Sequence, residues 1–206
     1  MADQANGGSV VALTGKNCVA IASDLRLGST QLNGQTLTNS VSKLFEITPR
    51  LYAGFPGLYT DTLTVHELMR RATNLYRMRE GRTIQPQAFA HRLASLQYEH
   101  RFGNFFVSPI VAGLDDKNKP FISGHDSIGC MGLAPDYVAA GTAMESLCGM
   151  TESLWEPDLS PEQLFETISQ VMLNALDRDA LSGGGCVVYV IEPDKVTKRF
   201  LKTRVD

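Results

Sequence analysis

Residues 8–24 read GSVVALTGKNCVAIASD, two apolar runs hinged on TGKN. A glycine-containing tight turn between such runs is a strong β-hairpin signal, so the fold opens with two antiparallel strands. The second run ends on a carboxylate, Asp24, with Arg26 two residues on.

Beyond the hairpin, residues 27–40 are polar and rich in Gly, Asn, Ser and Thr, which predicts a loop. Strands resume at SKLFEI and LYAGF. Asp61 and Thr62 are placed to cap a helix with Leu68, Ala72, Leu75 and Tyr76 on one face, ending near Gly81. A second helix follows Pro86, with Phe89, Leu93 and Leu96 at helical spacing. FFVSPIVAGL and KPFISGHD read as strands joined by the charged turn DDKNK, and Tyr137–Thr142 as another. AMESLCGMTESL has helical composition. Ser160, Pro161 and Gln163 then open a capping-box helix with the stripe Leu164, Ile168, Val171, Met172, Ala175 and Leu176. CVVYVIE and VTKRFLK close the chain around PDK. Strands and helices grouped in this way argue against alternating βαβ units. They fit an α+β architecture of two stacked antiparallel sheets with helices outside each.

The 206 residues suit one domain. Net charge −3 with 20% charged residues carries no basic excess pointing to nucleic acid. The longest apolar runs fall well short of the roughly 20 residues of a membrane span. MADQANGGS has neither a basic nor an apolar leader region, so the expected compartments are cytoplasm and nucleus. Cys18, Cys130, Cys148 and Cys186 are widely spaced and read as reduced core residues. His66, His91, His100 and His125 form no ligand pair, and no metal or cofactor is expected.

The stretch DRDALSGGG, residues 177–185, joins a helix to a buried strand. A phosphate-cradling loop needs the opposite order, strand then helix. Asp24 is compatible with a strand-end ion pair or turn cap, or with a carboxylate that orients a catalytic amine. Lys43 either snorkels to the surface or lies buried beside Asp24, where its charge would tune a nucleophile.

The hairpin ending Asp24-Leu25-Arg26, the Lys43 segment KLFEI, the turn GLYTD and RDALSGGG form a set. With them the chain resembles the β subunits of the proteasome, N-terminal-nucleophile hydrolases built as a four-layer αββα sandwich. NGGSVVALTGKNCVAIASDLRLGS (residues 6–29), EHRFGNFFVSPIVAGLD, TESLWEPDLSPEQLFETISQ and the basic C-terminal stretch resemble the β3-type subunits of the 20S core.

Active members of that family attack a peptide carbonyl with an N-terminal threonine exposed by self-cleavage, its own α-amine serving as base. The resemblance places Asp24, Lys43, Asp179 and Ser182 on the supporting residues, and Thr142 on a supporting serine. It places Gly57 on the glycine whose N–H stabilises the oxyanion. Counting back from Asp24 puts Gly8 at the nucleophile position, where no side chain exists. The resemblance therefore implies a non-catalytic subunit, with residues 1–7 a retained extension and 8–206 one domain. Ser9, after cleavage of Gly8–Ser9, is the alternative nucleophile, although a one-residue slip turns its side chain to the other face. The loop between Arg26 and Lys43 is about three residues longer than usual for the family, counted against its motif spacing.

The implied partners are the other proteasome subunits: β2 and β4 neighbours, an α ring and the opposite β ring, in a hetero-oligomer. EHRFGNFF, LWEPDLS and KTRVD are candidate contact segments, and Asp126 and Cys130 candidate lining of the β2 pocket.

Overall fold

The computed structural model describes residues 5–204. Met1–Gln4, and the last two residues of the KTRVD tail, lie outside the described residues.

The opening hairpin is β1 (Ser9–Gly15) and β2 (Cys18–Asp24), turned by Lys16 and by Asn17 at φ 54°. Every residue of β2 and all but the last of β1 are buried. The reason is visible in the alternation. Val10, Ala12, Val19 and Ile21 pack against the second sheet. Val11, Leu13, Cys18, Ala20 and Ala22 pack against helices. A strand covered on both sides reads as a continuous apolar run.

The hairpin sits inside a five-stranded antiparallel sheet, β10-β1-β2-β11-β12, completed by β10 (Tyr137–Gly141), β11 (Cys186–Ile191) and β12 (Val196–Leu201). The facing sheet runs β5-β6-β7-β8-β9: β5 (Leu44–Thr48), β6 (Leu51–Gly54), β7 (Ile110–Leu114), β8 (Pro120–His125) and β9 (Met131–Ala134). Outside it lie α1 (Tyr59–Glu80) and α2 (Pro86–Glu99), their cluster including Val65, Met69, Phe89 and Leu93. Outside the first sheet lie α3 (Met144–Leu154) and α4 (Pro161–Leu176), through Leu147, Leu164, Ile168 and Met172. The order helix, sheet, sheet, helix is the expected αββα sandwich.

All six residues of the expected α4 stripe are buried, and Gln163 Oε1 accepts from the Ser160 backbone N–H at 3.0 Å. Four sequence expectations need correction. Residues 27–40 are not simply loop: β3 (Leu27–Ser29) and β4 (Gln35–Thr38) form a two-stranded ribbon around a 3-10 turn, Thr30–Leu32. α1 begins at Tyr59 without a cap from Asp61 or Thr62, since Asp61 Oδ2 accepts from the Phe106 N–H and the Thr62 hydroxyl donates to Phe55 O. Its buried face is Thr62, Val65 and Met69, whereas Leu75 is exposed. Cys130 is exposed rather than core.

Candidate functional site

The site gathers at one end of the sandwich, where β1 starts, β2 stops and the 177–185 turn enters β11. Asp24 faces Cys186 across the β2–β11 ladder and its side chain is wholly buried. Its carboxylate meets Lys43 Nζ at 2.9 Å and accepts from the Ser9 N–H at 2.9 Å and the Gly183 N–H at 3.1 Å. Lys43, 3% exposed, also donates to Arg26 O at 2.8 Å and to Asp24 O at 3.3 Å. A buried ammonium needs this many acceptors as well as its counter-ion. Of the two readings open for Lys43, burial beside Asp24 is the observed one. The Asp24–Arg26 alternative gives way to other partners: Arg26 donates to Thr36 Oγ1, Leu181 O and Gly34 O, bracing the ribbon against the 177–185 turn.

A second network lies beside the first. The Ala143 N–H donates to Ser9 Oγ (2.8 Å), Ser9 Oγ meets Ser182 Oγ (2.9 Å), Ser182 Oγ meets Thr142 Oγ1 (2.9 Å), and Thr142 Oγ1 donates to Asp179 Oδ2 (2.5 Å). A backbone N–H can only donate and a carboxylate can only accept, so the three hydroxyls have one consistent polarity, from Ser9 through Ser182 and Thr142 to Asp179. The Ser9 proton is thereby directed to a neutral hydroxyl, and the Ser9 nitrogen is a peptide N–H already donated to Asp24. In the uncleaved chain Ser9 is wholly buried, with its hydroxyl and its nitrogen both so committed.

Gly8 is buried, with φ +109°. A β-carbon there would lie 2.1 Å from Lys43 Cε, so the lysine fills the space a side chain would need. Gly8 O accepts from the Thr142 N–H at 3.1 Å. Gly57, at φ +136°, precedes α1 and forms a bridge with Val107. A β-carbon there would meet Phe106 O at 2.2 Å. The structure thus brings Gly8, Asp24, Lys43, Thr142, Asp179 and Ser182 into two adjoining networks, with Gly57 at the head of the neighbouring helix.

Sequence reasoning missed Asn6. Its side chain donates to Gly28 O (2.9 Å) and accepts from the Tyr59 N–H (3.0 Å), the first residue of α1. An asparagine bonded to backbone at both ends leaves no periodic signature, and NGG alone reads as turn.

Asp126 and Cys130 lie apart from these networks, on the loop joining β8 to β9. Asp126 Oδ1 accepts from the Ile128 N–H (3.0 Å) and the Cys130 N–H (2.7 Å), which sets the shape of that exposed loop. Next to it His125 is buried, and burial pulls its imidazole down to about 4. Burial, reinforced by the Asp24 charge, pushes the Cys186 thiol far above its ordinary range. Burial brings Cys18 to about 11.

The family model described as proteasome subunit matches residues 4–191. The chain belongs to the proteasome subunit family. It is a beta type-3 member by its relatives. It is 55% identical over 201 residues to the probable proteasome subunit beta type-3 of Schizosaccharomyces pombe, covering 98% of this chain and 97% of that one. Identity is 54% over 202 residues to the Saccharomyces cerevisiae proteasome subunit beta type-3, again 98% and 97% covered. To that of Drosophila melanogaster it is 52% over 202 residues with the same coverage. This proteasome subunit therefore carries a polar site ordered around a glycine.

Proposed function

We propose that this chain is a structural, non-catalytic beta type-3 subunit of the 20S proteasome core, contributing to the β ring of the ATP- and ubiquitin-dependent protein-degradation machinery. The observation that carries the reading is Gly8. The resemblance puts it at the family's nucleophile position, and in support it lies one residue ahead of the Asp24-bound Ser9 N–H, with Lys43 in the volume its side chain would fill. Asp24, Lys43, Gly57, Thr142, Asp179 and Ser182 are vestigial site positions whose present work is to fix chain ends and turns.

In this reading the subunit sits between the beta type-2 and type-4 subunits, packed on an α ring and facing a second β ring, in cytoplasm and nucleus. Residues 1–7 are retained ahead of the domain formed by 8–206. Asp126 and Cys130, both exposed, line the neighbouring type-2 pocket. Among the contact segments, EHRFGNFF is favoured by Phe102, which is fully exposed. LWEPDLS is favoured less, because the Trp155 indole is already spent on Thr14 O at 2.9 Å. Intact-mass measurement on the subunit from assembled particles tests the central point. A chain still carrying residues ahead of Gly8 is expected, and one beginning at Ser9 would overturn the reading.

A further inference from the structure

Gln97 is a polar side chain where the packing asks for an apolar one. With Ala90 and Leu93 it lies on the inward stripe of α2, at i, i+3 and i+7, and all three are 0% exposed. An amide buried there is costly unless both of its ends are bonded. Only one end is: Gln97 Nε2 donates to Asp126 O at 2.6 Å, while Oε1 has no partner among the described residues. A carbonyl oxygen only accepts, so the nitrogen must face Asp126, and turning the amide over would break the one bond it makes. What the glutamine contributes is therefore concentrated in a single contact with a single loop.

That loop, residues 126–130, is wound around Asp126. Besides the two N–H groups held by Oδ1, the Asp126 N–H donates to Cys130 O at 3.1 Å, and Asp126 O takes the Gly129 N–H at 3.4 Å together with the Gln97 amide. All of these bonds except the last are internal. They fix the shape of the loop, not its place on the molecule. The His125–Met131 pair of the β8–β9 ladder holds its stems. Between the stems, Gln97 is the one side chain outside the loop that bonds to it among the described residues. Gly129 shows how closely the two are pressed together: at φ +89°, a β-carbon there would stand 2.3 Å from Ala94 O and 3.3 Å from Gln97 Cβ.

We propose that Gln97 is a positioning residue, which from α2 pins the 126–130 loop and so sets where Asp126 and Cys130 stand in the pocket of the neighbouring type-2 subunit. The proposal rests on the reading above that these two residues line that pocket. Both are exposed, so a loop that shifts carries them with it.

Gln97→Met tests it, because methionine keeps the length of the side chain and removes the donor and the orphaned oxygen together. The melting temperature of the assembled particle is expected to be unchanged or higher. Hydrogen exchange at the Ile128, Gly129 and Cys130 amides is expected to speed by roughly 5- to 20-fold, with the β8 and β9 ladder amides unmoved. KM for a peptide reporter cleaved by the neighbouring subunit is expected to rise about 2- to 5-fold at unchanged kcat. A role confined to packing would move the melting temperature and leave the loop amides and KM alone. Cys130→Phe, which enlarges a lining side chain without removing any bond named above, is measured beside it. If neither variant moves KM, the pocket reading fails and the proposal with it. If Cys130→Phe moves KM and Gln97→Met does not, or if the loop amides of Gln97→Met keep the parent rates, this proposal alone fails. Should Gln97→Met not assemble, Gln97→Asn, whose amide falls one methylene short of Asp126 O, is judged by the same measurements.

Discussion

Replacing Lys43 by methionine removes one partner of a buried pair while keeping most of the volume. The side chains of Lys43 and Asp24 are 3% and 0% exposed and meet at 2.9 Å. Without the ammonium, the Asp24 carboxylate keeps two backbone donors, Ser9 and Gly183, but no compensating charge. Leaving a buried charge in that state costs about 3–5 kcal/mol. For a chain of 206 residues that corresponds to a fall in Tm of roughly 6–20 °C. Urea unfolding of the purified chain, followed by the fluorescence of its single tryptophan, measures the loss. Adding Asp24→Asn to Lys43→Met removes the stranded charge, so the double variant should lose about 1–3 kcal/mol less than the sum of the singles. A Lys43→Met cost below about 1 kcal/mol, or strictly additive singles, would refute the claim that the pair neutralises a desolvated site.

Gly8→Thr alone is expected to give no peptidase activity, because its β-carbon is placed against Lys43 and the bond ahead of it must still be processed. Hydrolysis of a peptide reporter by that variant, in particles whose other sites are inactivated, would contradict this. His125 predicts an acid limb. Its folded value, about 4, lies below the ordinary 6.5, so the unfolded chain takes up the proton first as pH falls. Its contribution is full above about pH 6.5 and shrinks toward pH 4 by roughly 3 kcal/mol, and His125→Gln should flatten that slope. An unchanged slope in the variant would show that other groups set it. Maleimide should label Cys130 in the native chain and spare Cys18 and Cys186, and peptide mapping that finds either buried thiol labelled as fast would contradict their burial.

Much of the fold was legible because burial imposes period. β1 and β2 are covered on both faces and α4 on one, so their apolar patterns are complete, and Ser160 and Gln163 marked the start of α4 by side-chain chemistry. The ribbon escaped notice because β4 is largely exposed, with Arg26 and backbone bonds rather than apolar contact holding it. β9 is a short edge strand with Leu133 and Gly132 exposed, and it left no alternation to find. On the long, charged α1, the buried Val65 and Met69 were obscured by the exposed Leu75 and Met78. At the site, position and family spacing gathered the titratable residues. The polarity of the hydroxyl chain and the double role of Asn6 depend on which backbone groups are left over, and no residue pattern encodes that.

The ladder in which Asp24 faces Cys186 also sets a schedule for synthesis. The partner strand of β2 is specified 162 residues after Asp24, the difference between those two positions. At about 5–20 residues per second, a ribosome needs roughly 8–30 s to deliver it. Until then the buried opening hairpin has its β2 ladder unfilled, and until β10 is made its β1 ladder as well, and the carboxylate of Asp24 has no Gly183 to meet. The opening strands, though made first, therefore become secure only late, and nascent chains halted before residue 186 should remain cleavable across β1 and β2 by added protease. Protection of those strands in such halted chains would show that the hairpin is stabilised without its C-terminal partner.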